Sequence, residues 1–285
     1  MHKQLAFGVA LVAALVGAAP ATAADSTLTR IEQSKTIRLG YRENSPPFSF
    51  VGDDKQPQGY SIDLCKVVAG DLAKQFKVDK LDIQWVPVTA QNRFDAVASG
   101  KVDLECGNTS QTLARRVDFD FSVMTYVDGA GLLFRKGGIP SGTDHLTGQR
   151  IVVVAGTTTE KALAALGASA KLGATLVRVP DHDAALKALL AKQADAYAAD
   201  RTVLVTTALS SGRGNEFELS QVQFTYEPYG LMLRPDQAFR LAVDRSLARL
   251  YRTGEIAPIL QRWFGALGNP GEILKVMFLL NGLPE

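Results

Sequence analysis

The segments AVASGKVDLECGN (residues 96–108) and ALLAKQADAYAAD (residues 188–200) follow one pattern. Each runs from the end of an apolar helix through a short turn and an aspartate into a short strand that ends near a polar residue. A helix that leads into a strand in this way twice predicts two similar α/β units. The alignment pairs Asn108 with Asp200. Both would then lie at the carboxyl ends of parallel strands, where open α/β sheets bind ligands.

Strand and helix patterns alternate outward from both segments. The same alignment pairs Asp103 with Asp195, and Ser61 has the character of a helix N-cap. Apolar spacing predicts strands at 36–41, 81–88, 101–106, 149–156, 175–179 and 194–199, and helices at 61–76, 91–99, 157–166 and 181–193. Two βαβαβ units place the chain in the α/β class.

Two similar glycine-containing stretches lie between the units. They are GAGLLFR (129–135) and YGLMLR (229–234), and each is a candidate crossing between lobes. Lobe I would comprise residues 25–133 and 229–285, and lobe II residues 134–228. Two lobes joined by two hinge crossings form a clam-shell, which is suited to closing around a ligand.

The N-terminus has the composition of an export signal. Lys3 precedes an uncharged run over residues 5–19, and Ala21-Thr22-Ala23 follows as a cleavage site. The alternative is a membrane anchor, but the run is shorter than the ~20 apolar residues that a spanning helix needs. Residues 1–24 are therefore predicted to be a cleaved signal peptide.

Composition limits the classes of partner. The 285 residues fit roughly two domains of about 100–200 residues each. With 31 Lys and Arg against 29 Asp and Glu, the formal net charge is +2 and no block of like charge stands out. This balance gives no electrostatic case for binding nucleic acid or an anionic membrane. Three histidines and two separated cysteines give no metal-ligand spacing.

The two cysteines, Cys65 and Cys106, can be interpreted in two ways. In an oxidising compartment they can form a disulfide, which export of the chain favours. The alternative is a pair of buried free thiols that pack as small apolar side chains.

The loop after residue 106 is suited to holding an anion. Asn108, Thr109 and Ser110 offer small hydrogen-bonding groups, and Arg115 follows five residues later. A guanidinium is a planar bidentate donor for a carboxylate. The alternative for Arg115 is an exposed helix residue, which is the interpretation kept for Arg116.

The second unit offers two further kinds of polar group. Thr157 and Thr158 stand at a predicted helix N-terminus, whose free N–H groups attract anions. Asp200 is an acceptor at a strand end, although it is also a candidate N-cap of the next helix. An N-cap role is the alternative for Thr159.

Taken in order, several motifs resemble one family over essentially the whole mature chain. They are IRLGYRENSPPFSF, GYSIDLCKVV, VTAQNRF, DLECGNTSQTLARRVDFDFS, VVVAGTTTE and GLMLR. They are similar to the periplasmic amino-acid-binding proteins of ABC importers, and most similar to the glutamate/aspartate-binding branch. The resemblance implies the two-lobed type II fold of periplasmic binding proteins, a location in the periplasm, an inner-membrane ABC permease as partner, and a monomer without cofactor or catalytic residues.

The resemblance also assigns roles to single residues. It makes Arg115 the clamp for the ligand's α-carboxylate and Asp200 the partner of its ammonium. Arg42, Arg93 and His182 match positions that meet a distal carboxylate, although His182 is equally compatible with a helix-start role. The sequence departs from the branch pattern at two places: Ala90 and Asn108 stand where serines are expected.

Charge points to the class of ligand. If Arg42, Arg93 and Arg115 face one cleft, a single α-carboxylate cannot balance them, and an unpaired buried arginine is costly. The prediction is an acidic L-amino acid, with the choice between glutamate and aspartate open because of Ala90 and Asn108. One alternative is a binder of another polar amino acid. The other is a cyclohexadienyl-dehydratase-like enzyme, which requires a general acid or base; the sequence offers no matched cleft carboxylate other than Asp200.

Overall fold

The computed structural model describes residues 26–138, 146–168, 173–268 and 271–285. The predicted signal peptide, residues 1–24, lies outside this range. Within these four ranges, none of the helices has both the length and the apolar character to cross a bilayer.

Strands and helices alternate as the sequence predicts. The strands described are β1 Thr36–Tyr41, β2 Asn44–Ser45, β3 Ser49–Val51, β4 Pro57–Gln58, β5 Asp82–Pro87, β6 Leu104–Glu105, β7 Asp120–Phe121, β8 Tyr126–Asp128, β9 Ala130–Arg135, β10 Arg150–Val154, β11 Thr175–Val179, β12 Ala196–Asp200, β13 Phe217–Leu219, β14 Glu227–Tyr229 and β15 Met232–Leu233. The helices described are α1 Thr27–Ser34, α2 Tyr60–Gln75, α3 Arg93–Ala98, α4 Thr158–Ala168, α5 His182–Leu190, α6 Arg201–Ser210, α7 Gln237–Thr253, α8 Ile256–Phe264 and α9 Glu272–Asn281.

The first lobe is built on a five-stranded sheet in the order β5-β1-β6-β15-β7. β1 is parallel to both β5 and β6, whereas the returning strand β15 is antiparallel to β6 and β7. Apolar side chains of α2, α7, α8 and α9 pack with this sheet into one core. The C-terminal helices therefore belong to the first lobe.

The second lobe repeats the arrangement in the order β11-β10-β12-β9-β13. β10 is parallel to β11 and β12, and β9 is antiparallel to β12 and β13. Val152 packs into the core on one face of the sheet, and Ile151 and Val153 pack into the core on the other. Burial on both faces explains why this strand is an uninterrupted apolar run.

The two lobes are joined by β8 and β14, which pair antiparallel as a two-stranded sheet. The crossings predicted at 129–135 and 229–234 are therefore displaced: β9 is part of the second sheet, and β15 is part of the first. The two stretches resemble each other because each is an apolar strand that follows a crossing. We propose on this basis that the first lobe boundary lies near residue 128 rather than 133.

A disulfide joins Cys65 of α2 to Cys106 after β6, with Cα atoms 6.2 Å apart, as predicted. The predicted N-cap of α2 was wrong. Gly59 occupies that position without a side-chain cap, at φ 131°, where a Cβ would meet the Phe48 carbonyl oxygen at 2.3 Å. Ser61 instead donates its hydroxyl to the carbonyl of Gly107 at 2.7 Å, beside the disulfide.

Candidate ligand-binding site

A cavity lies between the lobes, at the carboxyl ends of both sets of parallel strands. Nine of the ten residues that the sequence singled out as ligand-binding line this cavity. They are Arg42, Arg93, Asn108, Ser110, Arg115, Thr157, Thr158, His182 and Asp200. The tenth, Thr109, is fully buried, and its hydroxyl has no hydrogen-bond partner among the described residues.

Local structure explains why these residues converge. Arg42 directly follows β1, and Asp200 is the last residue of β12. Arg93, Thr158 and His182 are the first residues of α3, α4 and α5, the helices that follow β5, β10 and β11. Strand ends and helix starts meet at one edge of each sheet, so side chains distant in the sequence face the same space.

Arg115 is held by contacts on two sides. Its Nη1 donates to the Ser110 carbonyl at 2.7 Å, and its guanidinium carbon lies 5.0 Å from the centre of the Phe94 ring. Arg93 lies 4.8 Å from the same ring. One anchored nitrogen fixes the plane of the Arg115 guanidinium and leaves its other N–H groups for a carboxylate. Arg116 is exposed, as expected.

Arg42 and Arg93 are buried and Arg115 is partly buried, and none of the three has an ion-pair partner among the described residues. Burial, together with the nearby charge of Arg93, lowers the pKa of Arg42 and of Arg115 to about 10, and burial lowers the pKa of Arg93. All three remain charged at neutral pH. Within the described residues, no carboxylate oxygen lies within 4.0 Å of their guanidinium nitrogens. The arginines therefore present unneutralised donors to the cavity.

On the second lobe, the N-terminus of α4 is capped by Thr157. Its hydroxyl donates to the Val154 carbonyl at 2.8 Å and accepts from the N–H of Glu160 at 3.1 Å. This is the pattern of an N-cap residue, which the sequence had offered for Thr159. Thr159 instead directs its hydroxyl to Asp200 at 3.3 Å.

Asp200 is an acceptor that holds a proton. It occupies the N-cap position of α6, but its side chain does not cap that helix. Its carboxyl group accepts from the Tyr229 hydroxyl and from Thr159. Burial, followed by the charges of Glu227 and Asp128, raises the pKa of Asp200 to about 8. A cation in the cavity would favour the ionised form and expel the proton.

His182 is a neutral side chain in this site. Burial, followed by the charges of Arg42 and Arg93, lowers its pKa to about 3. Its Nδ1 lies in hydrogen-bond contact with the Tyr197 hydroxyl. When that hydroxyl is the donor, the proton of the imidazole is on Nε2. His182 can then contribute a hydrogen bond to a ligand, but no charge.

Sequence reasoning missed two buried carboxylates, Glu105 and Glu227, whose charges act on the cavity residues. Among the described residues that line the cavity, Asp200 is the one carboxylate. Glu105 is fully buried on β6, and neither of its oxygens has a hydrogen-bond partner among the described residues. Its charge acts on Arg42, Arg93 and Arg115. Glu105 does stand at the strand end that was singled out, three residues before Asn108, so its position offered a signal.

The second missed carboxylate is Glu227, which is 1% exposed and begins the crossing strand β14. It accepts hydrogen bonds from Ser110 of the first lobe and from Thr158 of the second. Its charge also acts on Asp200 and Arg115. Nothing in the sequence pairs Glu227 with the strand ends, because it lies outside both repeated units.

The two departures from the family pattern lie in different surroundings. Asn108 lines the cavity. Ala90 is fully buried, and a Cβ added at Gly156 would meet its carbonyl oxygen at 3.0 Å. Ala90 thus lies where the lobes touch.

The lobes are in contact through hydrogen bonds from three side-chain donor groups. Gln91 donates to the carbonyl of Ala155 at 2.8 Å and to that of Pro180 at 3.2 Å, and Arg93 donates to Gly156 at 3.4 Å. Thr206 donates to the Pro46 carbonyl at 2.7 Å. These bonds join side chains of one lobe to the backbone of the other, so this is a closed form of the molecule.

Comparisons with known proteins agree with this architecture. The L-glutamate/L-aspartate-binding protein of Pseudomonas aeruginosa is 34% identical over 259 residues, covering 90% of this chain and 85% of that protein. The glutamate/aspartate import solute-binding protein of Escherichia coli is 31% identical over 245 residues, covering 86% and 81%. An ancestral amino-acid-binding protein described as a precursor of cyclohexadienyl dehydratase superimposes with a TM-score of 0.73 at 25% identity, covering 84% of this chain and all of the other.

The profile of the bacterial extracellular solute-binding proteins, family 3, matches residues 37–266. That span contains both five-stranded sheets except for Thr36, both crossing strands and every residue that lines the cavity. The chain belongs to the bacterial extracellular solute-binding proteins of family 3.

Proposed function

We propose that the protein captures an acidic L-amino acid in the periplasm by closing its lobes around it, and delivers it to an ABC permease. The observation that carries this proposal is that Arg42, Arg93 and Arg115, none of them ion-paired within the described residues, converge with Asp200 in one cavity between the lobes. An amino acid with a second carboxylate supplies anions for the arginines and a cation for Asp200.

The proposed contacts follow from geometry. Arg115, anchored on Ser110, clamps the α-carboxylate with its remaining N–H groups. Arg42 and Arg93 hold the distal carboxylate, with a neutral hydrogen bond from His182. Asp200 receives the ammonium. Asn108 lines the same cavity and is proposed to influence the preference between the shorter and the longer acidic amino acid.

The buried carboxylates revise the charge argument. Once a bound ammonium has ionised Asp200, the carboxylates Glu105, Glu227 and Asp200 formally balance the three arginines, so the count alone does not require a second anion on the ligand. The geometry of the arginines supports the acidic ligand instead, because a guanidinium without a paired acceptor retains unsatisfied donors at the cavity wall. The glutamate/aspartate-binding relatives support the same class of ligand.

Binding without chemistry is the favoured activity, and one observation favours a second candidate. A carboxyl group with a pKa of about 8, such as that of Asp200, is poised to donate a proton, which a dehydratase acting on a cyclohexadienyl substrate requires. The ancestral structural neighbour links this fold to such an enzyme. Incubation with the cyclohexadienyl substrate and detection of its aromatic product by absorbance would identify that activity, and we expect no turnover.

Calorimetric titration with the twenty common L-amino acids tests the proposal. The protein is first unfolded and refolded, so that a tightly bound ligand is removed. We expect glutamate or aspartate to bind one to one, with amides and basic amino acids binding far more weakly. Binding confined to glutamine or to basic amino acids would contradict the acidic-ligand proposal.

A further inference from the structure

Glu227 occupies an unusual position, because it stands on a crossing strand and contacts both lobes. Its Oε2 accepts from the hydroxyl of Ser110 in the first lobe and from that of Thr158 in the second, the latter at 2.7 Å. The side chain is 1% exposed. Ser110 and Thr158 both line the cavity.

This contact fixes the direction of two hydroxyl hydrogens. An ionised carboxylate only accepts hydrogen bonds. Both hydroxyls of Ser110 and Thr158 must then donate to Glu227, and both oxygens retain lone pairs for another donor. Even a protonated Glu227 could donate to only one of the two hydroxyls.

The neighbouring Asp200 also accepts hydrogen bonds, as Glu227 does. Asp200 also lines the cavity, and its carboxyl group accepts from Tyr229 and Thr159. The charge of Glu227 acts directly on Asp200, which indicates that the two carboxyl groups are close. The wall formed by Ser110, Thr158 and Asp200 therefore presents acceptors, a set that matches the N–H donors of a primary ammonium group.

We propose that Glu227 is a positioning residue that orients the hydroxyls of Ser110 and Thr158 as acceptors, and thereby makes this wall selective for a primary ammonium group. The inference rests on the proposed function, because it concerns the amino-acid cavity. It also reassigns the hydroxyl of Ser110, which the sequence had associated with the ligand carboxylate. Since they come from different lobes, the complete acceptor set forms only when the lobes close.

The test compares two ligands that differ only in the amino group. L-Glutamate and glutarate carry the same two carboxylates, but glutarate lacks the ammonium. In Glu227→Gln, the new amide N–H can donate to one of the two hydroxyls. That hydroxyl then directs its own hydrogen toward the cavity. We expect the affinity for glutamate to fall at least tenfold and that for glutarate to change less than threefold. Glu218→Gln, which removes the same charge from an exposed side chain, is the matched control and should behave as wild type.

Several outcomes would overturn the inference. One is a variant that binds glutamate within threefold of wild type, and another is an equal loss of glutamate and glutarate, which would indicate a purely structural role. If glutarate is too weak to measure, calorimetry in two buffers of different ionisation enthalpy decides. Glu227→Gln should release less proton on binding glutamate at pH 7 than wild type does, and an unchanged proton count would overturn the inference.

Folding and ligand identity are controlled separately. If Glu227→Gln fails to regain the wild-type circular dichroism spectrum, Ser110→Ala and Thr158→Ala remove the same acceptors and should lower the ratio of glutamate to glutarate affinity. An unchanged ratio in both variants overturns the inference. If wild type binds a different amino acid, the acidic-ligand proposal fails, and the same comparison is made with that amino acid and its analogue lacking the amino group.

Discussion

Asp200 is a carboxyl group whose protonation is linked to its neighbours in the cavity. Burial and the charges of Glu227 and Asp128 favour its neutral form, whereas hydrogen bonds from Tyr229 and Thr159 favour the ionised form. The effect of burial is the largest, and the pKa of Asp200 is about 8. The arginines of the cavity act in the opposite direction, but none forms an ion pair with it. The ligand-free site therefore holds a proton at neutral pH.

Binding of an amino acid should consequently depend on pH. An ammonium favours ionised Asp200, so we expect affinity to rise between pH 6 and pH 8, by up to about tenfold per pH unit, and then to level off. Two other groups titrate at or below the start of this pH window. The pKa of Asp128 is about 6, and the pKa of His182 is about 3. Titrations at four pH values measure the effect, and Asp200→Asn should remove it. A flat wild-type profile would contradict the assignment.

The same proton affects stability in the ligand-free protein. The raised pKa means that the folded state binds the proton more tightly than the unfolded chain, whose reference value is 3.8. The stabilisation is therefore complete below pH 4 and is lost as the pH rises through 8. The difference in melting temperature between ligand-free wild type and Asp200→Asn should follow this direction, and saturating ligand should oppose it.

The proposed roles of Arg115 and Arg93 can be distinguished by mutation, because each arginine is assigned a different group of the ligand. Arg115→Ala should weaken every amino-acid ligand, because the α-carboxylate is common to all, whereas Arg93→Ala should weaken acidic ligands most. Removing one partner of a buried charge pair costs about 2–5 kcal/mol. Affinities for glutamate and glutamine in both variants measure the difference, with Arg116→Ala as the exposed control. Equal, small losses from both variants would show that neither arginine contacts the ligand.

At the scale of elements, the repeated aspartates, Asp103 and Asp195, form equivalent hydrogen bonds to the neighbouring strand, which we call strand ties. Asp103 accepts from the backbone N–H of Arg38 at 2.8 Å and from its guanidinium, and Asp195 accepts in the same way from Arg150 at 2.9 Å. In both sheets, the aspartate that precedes the short strand is tied to an arginine of the neighbouring parallel strand. The sequence repeat therefore reflects a shared hydrogen-bonding device.

The two ties differ in burial, which makes them a matched pair for mutation. The Asp103 side chain is fully buried and also binds Arg30, whereas that of Asp195 is 21% exposed. We expect Asp103→Asn to lower the free energy of unfolding by about 1.5–3 kcal/mol and Asp195→Asn by less than about 1 kcal/mol. Urea unfolding followed by circular dichroism measures both. An equal loss would show that burial does not set their contributions.

At the scale of the whole molecule, closure is stabilised by bonds from one lobe to the other. Gln91 is exposed and makes two of them, to the carbonyls of Ala155 and Pro180. Such bonds contribute nothing to an open form. They add to the affinity of any ligand that requires closure, without regard to its identity.

Gln91→Ala should therefore weaken binding without changing selectivity. Each lost bond contributes about 0.5–1.5 kcal/mol, so we expect a several-fold or greater loss of affinity, chiefly through faster dissociation. The ratio of glutamate to aspartate affinity should stay constant. Stopped-flow fluorescence measures the rates, and Gln84→Ala, at an exposed position of the same lobe, is the control. A changed ratio would show that Gln91 affects the ligand itself.

The sequence by itself determined the elements and much of the cavity. Apolar spacing predicted β1, β10 and β11 because the side-chain pattern of a strand is local. The repeat identified Asn108 and Asp200 as equivalent, and both line the cavity. The loop after residue 106 identified Arg115, and the resemblance to one family added Arg42 and Arg93; all three line the cavity.

Tertiary structure alone decided the polarity and protonation of the site. Glu227 lies 117 residues from Ser110 and 69 from Thr158, so no local pattern reveals that it orients their hydroxyls. The raised pKa of Asp200 likewise depends on burial and on charges from β8 and β14. The crossings were displaced because apolar composition marks a strand without specifying which sheet it joins. Hydrogen-bond direction and pKa depend on neighbours in space, and for these residues the neighbours come from distant parts of the chain.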